Sequence, residues 1–242
     1  MNMRSTVART PAQALITHRD PMAAPSEAFR VLRTNLQFMG LDKPLKSILV
    51  TSASPGEGKS TVVANLAVAF AQTGASVCLV DADLRRPMVA KIFGLDNYTG
   101  LTTALVGGAA SEGAVRTTEI NGLAVVTSGP IPPNPAELLG SGKMERFIRS
   151  LEEHYEMVLV DSPPVLAVAD AAVLAPKVGG VVMVTRAGKV ARQQVVRAKQ
   201  ALEAVKAHVL GAVLDGVQME GREGYYYYYY YQSHDGERSR SH

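Results

Sequence analysis

Residues 47–61 read SILVTSASPGEGKST: an apolar run, a glycine-rich loop and the start of a helical pattern. A loop between a buried strand and a helix directs several backbone N–H groups, and the positive end of the helix dipole, at one point. Polyphosphate binds at such a point. The general pattern has a glycine five residues before Gly58, where this chain has Ala53, so the match is partial. The order of strand, loop and helix supports the match.

The glycine-rich loop predicts a nucleotide site. We expect Lys59 to bridge the β- and γ-phosphates and the Ser60 hydroxyl to bind Mg²⁺. The predicted nucleotide-binding residues of the loop are Pro55, Gly56, Glu57, Gly58, Lys59, Ser60 and Thr61. The alternative interpretation is a plain glycine turn before a helix, with Lys59 extended toward solvent.

Outward from this loop, apolar runs alternate with helical patterns. A strand at 47–51, a helix at 59–72 and a strand at 77–80 form the βαβ signature of a parallel sheet. Further strands are predicted at 123–127, 157–160, 181–185 and 209–214, and helical segments near 136–153 and 190–206. We therefore predict an α/β fold of the P-loop NTPase kind, with a mostly parallel central sheet of at least six strands flanked by helices on both faces.

The chain of 242 residues fits one domain with two flanking segments. Residues 1–25 lack periodicity and are expected to form a flexible arm, residues 26–220 the P-loop domain, and residues 221–242 a mobile tail. Ser26 is a predicted N-cap, because Phe29, Leu32, Leu36 and Met39 follow it at helical spacing. Asn134 is the predicted cap of a later helix that begins with a proline.

Composition narrows the function classes. No apolar stretch reaches the length of a membrane span, and residues 1–25 lack the apolar block of a secretion signal, so we expect a cytoplasmic protein. The single cysteine, Cys78, lies in an apolar run and fits a small core residue in a reducing compartment. The formal charge is only +3 and the basic residues are scattered, so no nucleic-acid partner is predicted.

Acidic residues follow two of the predicted strands. Asp81 and Asp83 end the second strand and Asp161 ends the fourth, so all three should lie at the carboxyl edge of the sheet, where ligands of such folds bind. One carboxylate could hold Mg²⁺ through water while another accepts the proton of an attacking hydroxyl. The alternatives are a surface ion cluster of Asp81 and Asp83 with Arg85 and Arg86, and a turn role for Asp161.

Seven consecutive tyrosines stand near the end of a chain that has only nine. A packed core cannot satisfy seven adjacent phenols, so the run is expected to be exposed. Together with the phosphate loop it predicts a kinase that phosphorylates its own tyrosines, although a neutral low-complexity repeat is the alternative. The predicted acceptors are Tyr225, Tyr226, Tyr227, Tyr228, Tyr229, Tyr230 and Tyr231.

At this point the chain resembles the bacterial tyrosine kinases, which govern capsule and exopolysaccharide assembly and share their ATPase fold with septum-site and partition proteins. The likeness covers residues from about 15 to 214 and the tyrosine tail. The motifs that carry it are SEAFRVLRTN at 26–35, PGEGKST at 55–61, VDADLRRP at 80–87, PPNP with ELL at 132–139, DSPP at 161–164, and the tyrosines.

The resemblance implies a role for each acid. Asp81 and Asp83 would form the second Walker motif of this family, with Asp81 as the base, and Asp161 would be the Walker B acid. Lys59 and these three acids would be the catalytic residues. Mg²⁺ would be held by Ser60, Asp83 and Asp161, and ATP would be the phosphate donor.

The resemblance also implies contacts beyond the phosphates. Arg186 would pack on adenine, while Asp215 stands where relatives often have an asparagine that recognises the base. Glu27, Arg30 and Arg33 would contact a neighbouring subunit in a ring. From the residues alone, the same helix reads equally well as a solvated face with a local Glu27–Arg30 pair.

The partners expected from the resemblance are other copies of the chain in the ring, a transmembrane activator that acts through its cytoplasmic tail, and a cognate phosphatase. The chain would be recruited to the inner face of the plasma membrane. Partition and septum-site ATPases, which work as nucleotide-dependent dimerisation switches, are the alternative class. They have a lysine four residues before Gly58, where this chain has Ser54, and they lack a tyrosine run. A scaffold with a decayed nucleotide site is a third class, disfavoured because every catalytic position is filled.

Overall fold

The computed structural model describes residues 15–40, 44–107 and 113–217. The tyrosine run, the rest of the expected tail from 218 onward, and residues 1–14 of the expected arm lie outside these ranges. Within them, no helix is both long and apolar enough to cross a lipid bilayer.

One sheet of seven strands runs through the described residues, in the order β3-β4-β2-β5-β1-β6-β7. Every neighbouring pair is parallel except β3 and β4. The strands are β1 (Ser47–Ser52), β2 (Val77–Asp81), β3 (Val115–Thr117), β4 (Leu123–Val126), β5 (Met157–Asp161), β6 (Gly180–Arg186) and β7 (Val209–Asp215). The predicted α/β fold is thus confirmed. Each predicted strand is present, and its bounds differ from the prediction by one residue at one end or, for β6, at both ends.

The helices connect these strands and cover both faces of the sheet. They are α1 (Ile16–Arg19), α2 (Ala24–Met39), α3 (Lys59–Ala71), α4 (Val89–Phe93), α5 (Leu101–Gly107), α6 (Pro135–Gly140), α7 (Gly142–His154), α8 (Asp170–Leu174) and α9 (Arg192–Ala204). A short 3₁₀ turn, Ala175–Lys177, follows α8. Alternation of strand and helix is what a parallel sheet requires, because its connections must cross from one end of the sheet to the other.

Two apolar cores lie on the two faces of the sheet. One contains buried side chains of α5 to α9, and the other contains those of α2, α3 and α4. Strands β1, β2, β4 and β5 are buried along their whole length, as expected for strands covered on both faces. Helix α3 is almost wholly buried, which explains why its apolar residues follow one another without an amphipathic pattern.

The N-terminal residues differ from the expected arm. Residues 16–19 form α1, and Thr17 is fully buried with its hydroxyl donating to Asn65 Oδ1 at 2.8 Å. Helix α2 begins at Ala24, two residues before the predicted N-cap Ser26. The Ser26 hydroxyl donates instead to the carbonyl of Asp20 at 2.7 Å, which ties α2 to the turn before it. Met39, predicted on the buried face of this helix, is 53% exposed.

Two further differences have local causes. The helical segment near 136–153 is broken at Ser141, whose extended backbone ends α6 and whose hydroxyl caps α7 by accepting from the Met144 N–H. The short antiparallel strand β3 was not predicted, because three residues are too few for a period-two pattern. Asn134 does stand at the N-cap position of α6 with Pro135 as first residue, although its side chain makes no capping bond.

Candidate active site

The P-loop, residues 55–61, links the carboxyl end of β1 to the start of α3. Gly56 and Gly58 have φ of +77° and +93°, in the left-handed region that favours glycine. A Cβ at Gly58 would also stand 2.5 Å from Asp215 Oδ2. The loop therefore requires glycine at position 58 for two reasons, conformation and space. The first N–H groups of an α-helix have no acceptor within that helix. Those of α3 are therefore available to bind phosphate.

Glu57 braces the loop from inside. It is fully buried, and its carboxylate accepts from the Ser54 N–H and, at 3.4 Å, from the Arg186 N–H at the end of β6. From the outside, Lys189 Nζ donates to the Gly56 carbonyl at 3.0 Å. The loop is thus held to the end of β6 by contacts on both of its sides.

Lys59 reaches from the first turn of α3 to the loop after β2. Its ammonium contacts Asp83 Oδ2 at 2.9 Å, and the side chains are only 13% and 4% exposed. Burial opposes the charged form, but Asp161, Asp83 and Asp81 outweigh it, so the pKa of Lys59 is raised above its ordinary value. The lysine is positively charged and confined, as a phosphate ligand should be.

Asp81 is fully buried and its carboxylate accepts three backbone hydrogen bonds. Oδ2 accepts from the N–H groups of Met88 and Val89 at 3.1 and 2.9 Å, and Oδ1 accepts from the Asp83 N–H at 3.2 Å. Burial, followed by the charge of Asp161, raises the pKa of Asp81, although the Val89 N–H works in the opposite direction. Asp81 thereby shapes the loop between β2 and α4.

Asp161 lies beside Asp81, because the two residues are in register on the parallel strands β5 and β2. It is fully buried, yet neither carboxylate oxygen has a hydrogen-bond partner among the described residues. Burial raises the pKa of Asp161, while Lys59 and the Ser60 side chain favour its charged form and lower it. A buried carboxylate without partners is costly unless a ligand completes it.

These observations test whether Mg²⁺ fits the site. The two free oxygens of Asp161 and the nearby Ser60 hydroxyl are ligands of the kind Mg²⁺ prefers. No group of three or more acidic, histidine or cysteine side chains that could enclose a metal occurs in the described ranges. This agrees with Mg²⁺ chemistry, since nucleotide sites supply one or two carboxylates and leave the other positions to phosphate and water. The residues therefore fit the ion.

The expected base-binding residues contact each other. Arg186 Nη1 lies 3.0 Å from Asp215 Oδ2, with side chains 45% and 32% exposed. The pair stands at the ends of β6 and β7, directly over Gly58. Both residues are thus at the rim of the nucleotide site, with their charges mutually compensated.

The expected interface residues on α2 are engaged within the chain. Glu27 and Arg30 form an i,i+3 ion pair at 2.5 Å. Arg33 Nη1 donates to the Ala69 carbonyl in α3 at 2.9 Å. The local pair considered from the residues alone is therefore present.

The alternative of a surface ion cluster after β2 is not what the structure has. Asp81 and Asp83 are buried, and Asp83 pairs with Lys59 rather than with Arg85 or Arg86. The structure instead pairs Arg85 with Asp170, a contact that crosses 85 positions of sequence. Neither this ion pair nor the contact of Lys189 with the P-loop was predicted from the sequence. Arg85 belongs to a motif quoted for the resemblance, but nothing in the sequence names its partner.

Comparisons with known proteins agree with this site. A model of the ParA family, described as NUBPL iron-transfer P-loop NTPase, matches residues 44–239. The tyrosine-protein kinase YwqD of Bacillus subtilis (strain 168) is 46% identical over 214 residues, which cover 88% of this chain and 90% of that protein. The tyrosine-protein kinase etk of Escherichia coli (strain K12) is 36% identical over 198 residues, which cover 82% of this chain and 27% of that protein.

Solved structures of both a tyrosine kinase domain and a septum-site protein resemble this fold. The kinase domain of Escherichia coli tyrosine kinase ETK has a TM-score of 0.83 at 34% identity, covering 91% of this chain and 87% of that chain. The septum-site-determining protein MinD of Pyrococcus horikoshii OT3, complexed with Mg-ADP, has a TM-score of 0.60 at 25% identity, covering 70% and 69%.

The sheet, the P-loop and the carboxylates at its edge define the class of P-loop nucleotide-binding proteins related to ParA and MinD. Within that class, the identities of 36–46% over most of the chain show that it belongs to the bacterial tyrosine kinases. The predicted family and enzyme class are thereby confirmed.

Proposed function

We propose that this chain transfers the γ-phosphoryl group of ATP to the tyrosines at 225–231 of its own tail, between the subunits of a ring. The observation that carries the proposal is the cluster of Lys59, Asp83 and the unpartnered Asp161 at the mouth of the P-loop. The tyrosine run follows β7, whose last residue, Asp215, lies beside that loop. The last described strand therefore ends at the edge of the sheet that carries the P-loop, and the tyrosines follow it in the sequence.

In the proposed reaction a tyrosine Oη forms a bond to the γ-phosphorus, and the bond from that phosphorus to the β,γ-bridging oxygen breaks. Phosphotyrosine and ADP result. The phenol loses its proton to a carboxylate, and the resemblance assigns this task to Asp81. Its raised pKa makes this carboxylate a stronger base than an ordinary aspartate. A phenol with an ordinary pKa of about 10 needs such help.

Lys59 would pair with the β- and γ-phosphates, for which it would leave Asp83. Ser60, Asp161 and Asp83 would hold Mg²⁺, which supplies charge neutralisation to the phosphates. Arg186 would stack on the base, and Asp215 would approach it once the two residues separate. The remaining P-loop residues, apart from Pro55, which has no N–H, would present their backbone N–H groups to phosphate.

Reach permits the tail to enter a site of its own chain. From Asp215 to Tyr231 an extended chain covers at most about 50 to 58 Å. Transfer between subunits rests on the resemblance, as does the ring contact through Glu27, Arg30 and Arg33. Each added phosphate carries a charge of about −1.5 to −2. A few of them would overturn the formal charge of +3, so phosphorylated tails should leave and the ring should loosen.

The cellular setting is also proposed from the resemblance. The chain would act in the cytoplasm at the inner face of the plasma membrane, recruited by a transmembrane activator through its cytoplasmic tail. Its phosphorylation, reversed by a cognate phosphatase, would regulate capsular or exopolysaccharide synthesis and export.

Mass spectrometry of the intact 242-residue chain after incubation with Mg-ATP tests the proposal, alone and with the cytoplasmic segment of a candidate activator. Phosphate is expected on the tail of the wild-type chain and absent from Lys59→Met. A variant with all seven tail tyrosines changed to phenylalanine should still bind ATP. Native mass spectrometry before and after the reaction reports the ring.

Two other outcomes would contradict the proposal. Nucleotide-dependent dimerisation with ATP hydrolysis and an unmodified tail would place the chain with the partition and septum-site ATPases. Ser54, which stands where those proteins have a lysine, counts against that outcome. An unchanged ring after tail phosphorylation would contradict the loosening.

A further inference from the structure

An ion pair outside the predicted site joins the two acid-bearing loops. Arg85 Nε and Nη2 each contact a different oxygen of Asp170 at 2.9 Å, so the guanidinium and the carboxylate meet fork to fork. Arg85 lies in the loop between β2 and α4, and Asp170 is the first residue of α8, which follows the loop after β5. The pair therefore links the chain after Asp81 to the chain after Asp161.

The pair is unequal in burial. The Asp170 side chain has no exposed surface, whereas that of Arg85 is 40% exposed. A fully buried carboxylate depends on its cation, because an uncompensated buried charge is costly. The two parallel hydrogen bonds also fix orientation, which a single point charge would not do. Asp170 is thus fixed within the domain, and it holds the Arg85 guanidinium in place.

Arg85 belongs to the same loop as Asp83. Asp83 Oδ1 accepts from the Arg86 N–H at 3.0 Å, and Oδ2 contacts Lys59 at 2.9 Å. The same loop is fastened to the sheet at its beginning, where the Ala82 N–H donates to the Asp161 carbonyl at 2.8 Å. Arg85 lies only two residues beyond Asp83, so holding Arg85 restricts where the Asp83 carboxylate can be.

We propose that Arg85 and Asp170 are positioning residues for phosphoryl transfer, which lock the Asp83 loop at a fixed distance from Asp161 and Lys59. This rests on the proposed function. Neither residue touches the reacting atoms; they act through Asp83. Their contribution should fall on the rate of transfer more than on nucleotide binding, which is assured by the P-loop itself.

Arg85→Lys is the decisive variant, because it keeps a cation for Asp170 and loses the fork. The matched control is Arg116→Lys. Arg116 has the same exposed fraction of 40% and also pairs with an aspartate, but Asp96 is 46% exposed and belongs to neither loop. Asp170→Asn and the double variant Arg85→Lys/Asp170→Asn complete a cycle.

Three readouts on the full chain are needed: kcat and KM for ATP in tail phosphorylation with Mg-ATP, hydrogen exchange of residues 82–88 and 162–169 without nucleotide, and the thermal midpoint. Arg85→Lys should lower kcat roughly 10- to 100-fold with KM nearly unchanged. Exchange should rise in both loops. Arg116→Lys should match the wild type, and the double variant should lose little more than the worse single variant.

An unchanged kcat in Arg85→Lys overturns the proposal. So does a loss of kcat in which KM and the thermal midpoint deteriorate together, since that is the mark of a general structural defect. If the wild-type chain leaves its tail unmodified, the proposed function fails first and exchange alone decides the positioning role. Faster exchange in both loops then supports it, and unchanged exchange refutes it.

Discussion

Asp81 and Asp161 end neighbouring parallel strands in register, and both are fully buried, yet their surroundings are opposite. Three backbone N–H groups bind Asp81, two on one oxygen and one on the other. Asp161 has no hydrogen-bond partner on either oxygen within the described residues. Two carboxylates that look equivalent in sequence, each after an apolar run, therefore have different surroundings in the folded chain.

The two acids differ in what the protein sets against the cost of burial, which raises the pKa of both carboxyl groups. The hydrogen bonds of Asp81 contribute to the shape of its loop in the absence of ligand. Burying Asp161 costs free energy that no protein group recovers in full, although Lys59 and Ser60 reduce the cost. A costly, unsatisfied acid beside a phosphate loop is expected where a ligand is to be bound. We therefore expect Asp81 to be a structural acid as well as the proposed base, and Asp161 to bind a ligand.

The largest effect is expected from Asp161→Asn. The amide weakens the site for Mg²⁺, so we expect tail phosphorylation to fall roughly 10²- to 10³-fold, the range found when one stabilising group is removed from a transition state. The unfolding free energy of the free protein should stay the same or rise, because a buried charge is removed. Kinetics with Mg-ATP and urea unfolding without nucleotide measure the two quantities.

A nucleotide titration sharpens this prediction. Addition of Mg²⁺ should strengthen ATP binding to the wild-type chain, and this gain should shrink in Asp161→Asn, while ATP binding in EDTA should be the same for both. A variant that is strongly destabilised, or that phosphorylates its tail at the wild-type rate, would contradict the distinction between the two acids.

Asp81→Asn should show the converse pattern in stability. An amide has only one acceptor oxygen, so at least one of the backbone donors of Met88, Val89 and Asp83 loses its partner. We expect a loss of about 1.5 to 3 kcal/mol in unfolding free energy, measured in urea. Asp96→Asn, at an exposed site, is the control and should change stability little. If Asp81→Asn and Asp96→Asn had the same unfolding free energy, the backbone hydrogen bonds of Asp81 would contribute nothing to stability.

The sequence was a good guide to what local patterns determine. The alternation of apolar runs and helical spacing placed the parallel strands, and the P-loop with Asp81, Asp83 and Asp161 placed the site at their carboxyl ends. Both follow from short-range rules, the period of the strand and the geometry of a strand-to-helix turn. Parallel register then brings Asp81 and Asp161 together without further information.

What the sequence could not predict depends on contacts between distant residues. Thr17 lies in a stretch without periodicity, yet it is buried and its N–H and hydroxyl both donate to Asn65, inside the apolar helix α3. The pairing of Arg85 with Asp170 is of the same kind. Glu57 was predicted as one of the nucleotide-binding residues of the loop, and nothing in the sequence indicates that its carboxylate accepts from the Arg186 N–H. Patterns within one element carry no signal for such pairs.

The pH dependence of stability gives a further effect, to which both acids contribute because burial raises the pKa of each. Because the pKa of Asp161 is raised on folding, the folded chain binds its proton more tightly than the unfolded chain does. The unfolding free energy therefore falls as pH rises from about 4, the ordinary aspartate value, through the raised value. Asp161→Asn lacks this contribution, so its advantage over the wild type should be about 3 kcal/mol at pH 7, which corresponds to a rise of the pKa to about 6, and should vanish below about pH 4. Urea unfolding across this range measures it, and a pH-independent difference would contradict the raised pKa.

The smallest effect concerns a residue that touches the P-loop helix without belonging to the site. Thr17→Val removes the hydroxyl that donates to Asn65, whose own amide donates to the Thr61 carbonyl at 2.8 Å, and keeps the shape of the side chain. We expect a loss of about 1 kcal/mol in unfolding free energy and an unchanged rate of tail phosphorylation. Thr34→Val, which removes a bond of 2.9 Å to the Arg30 carbonyl within α2, is the control for loss of a hydroxyl. A fall in rate without a fall in stability would mean that the N-terminal segment acts on the P-loop, and the contrast between Asp81 and Asp161 would then describe only part of the site.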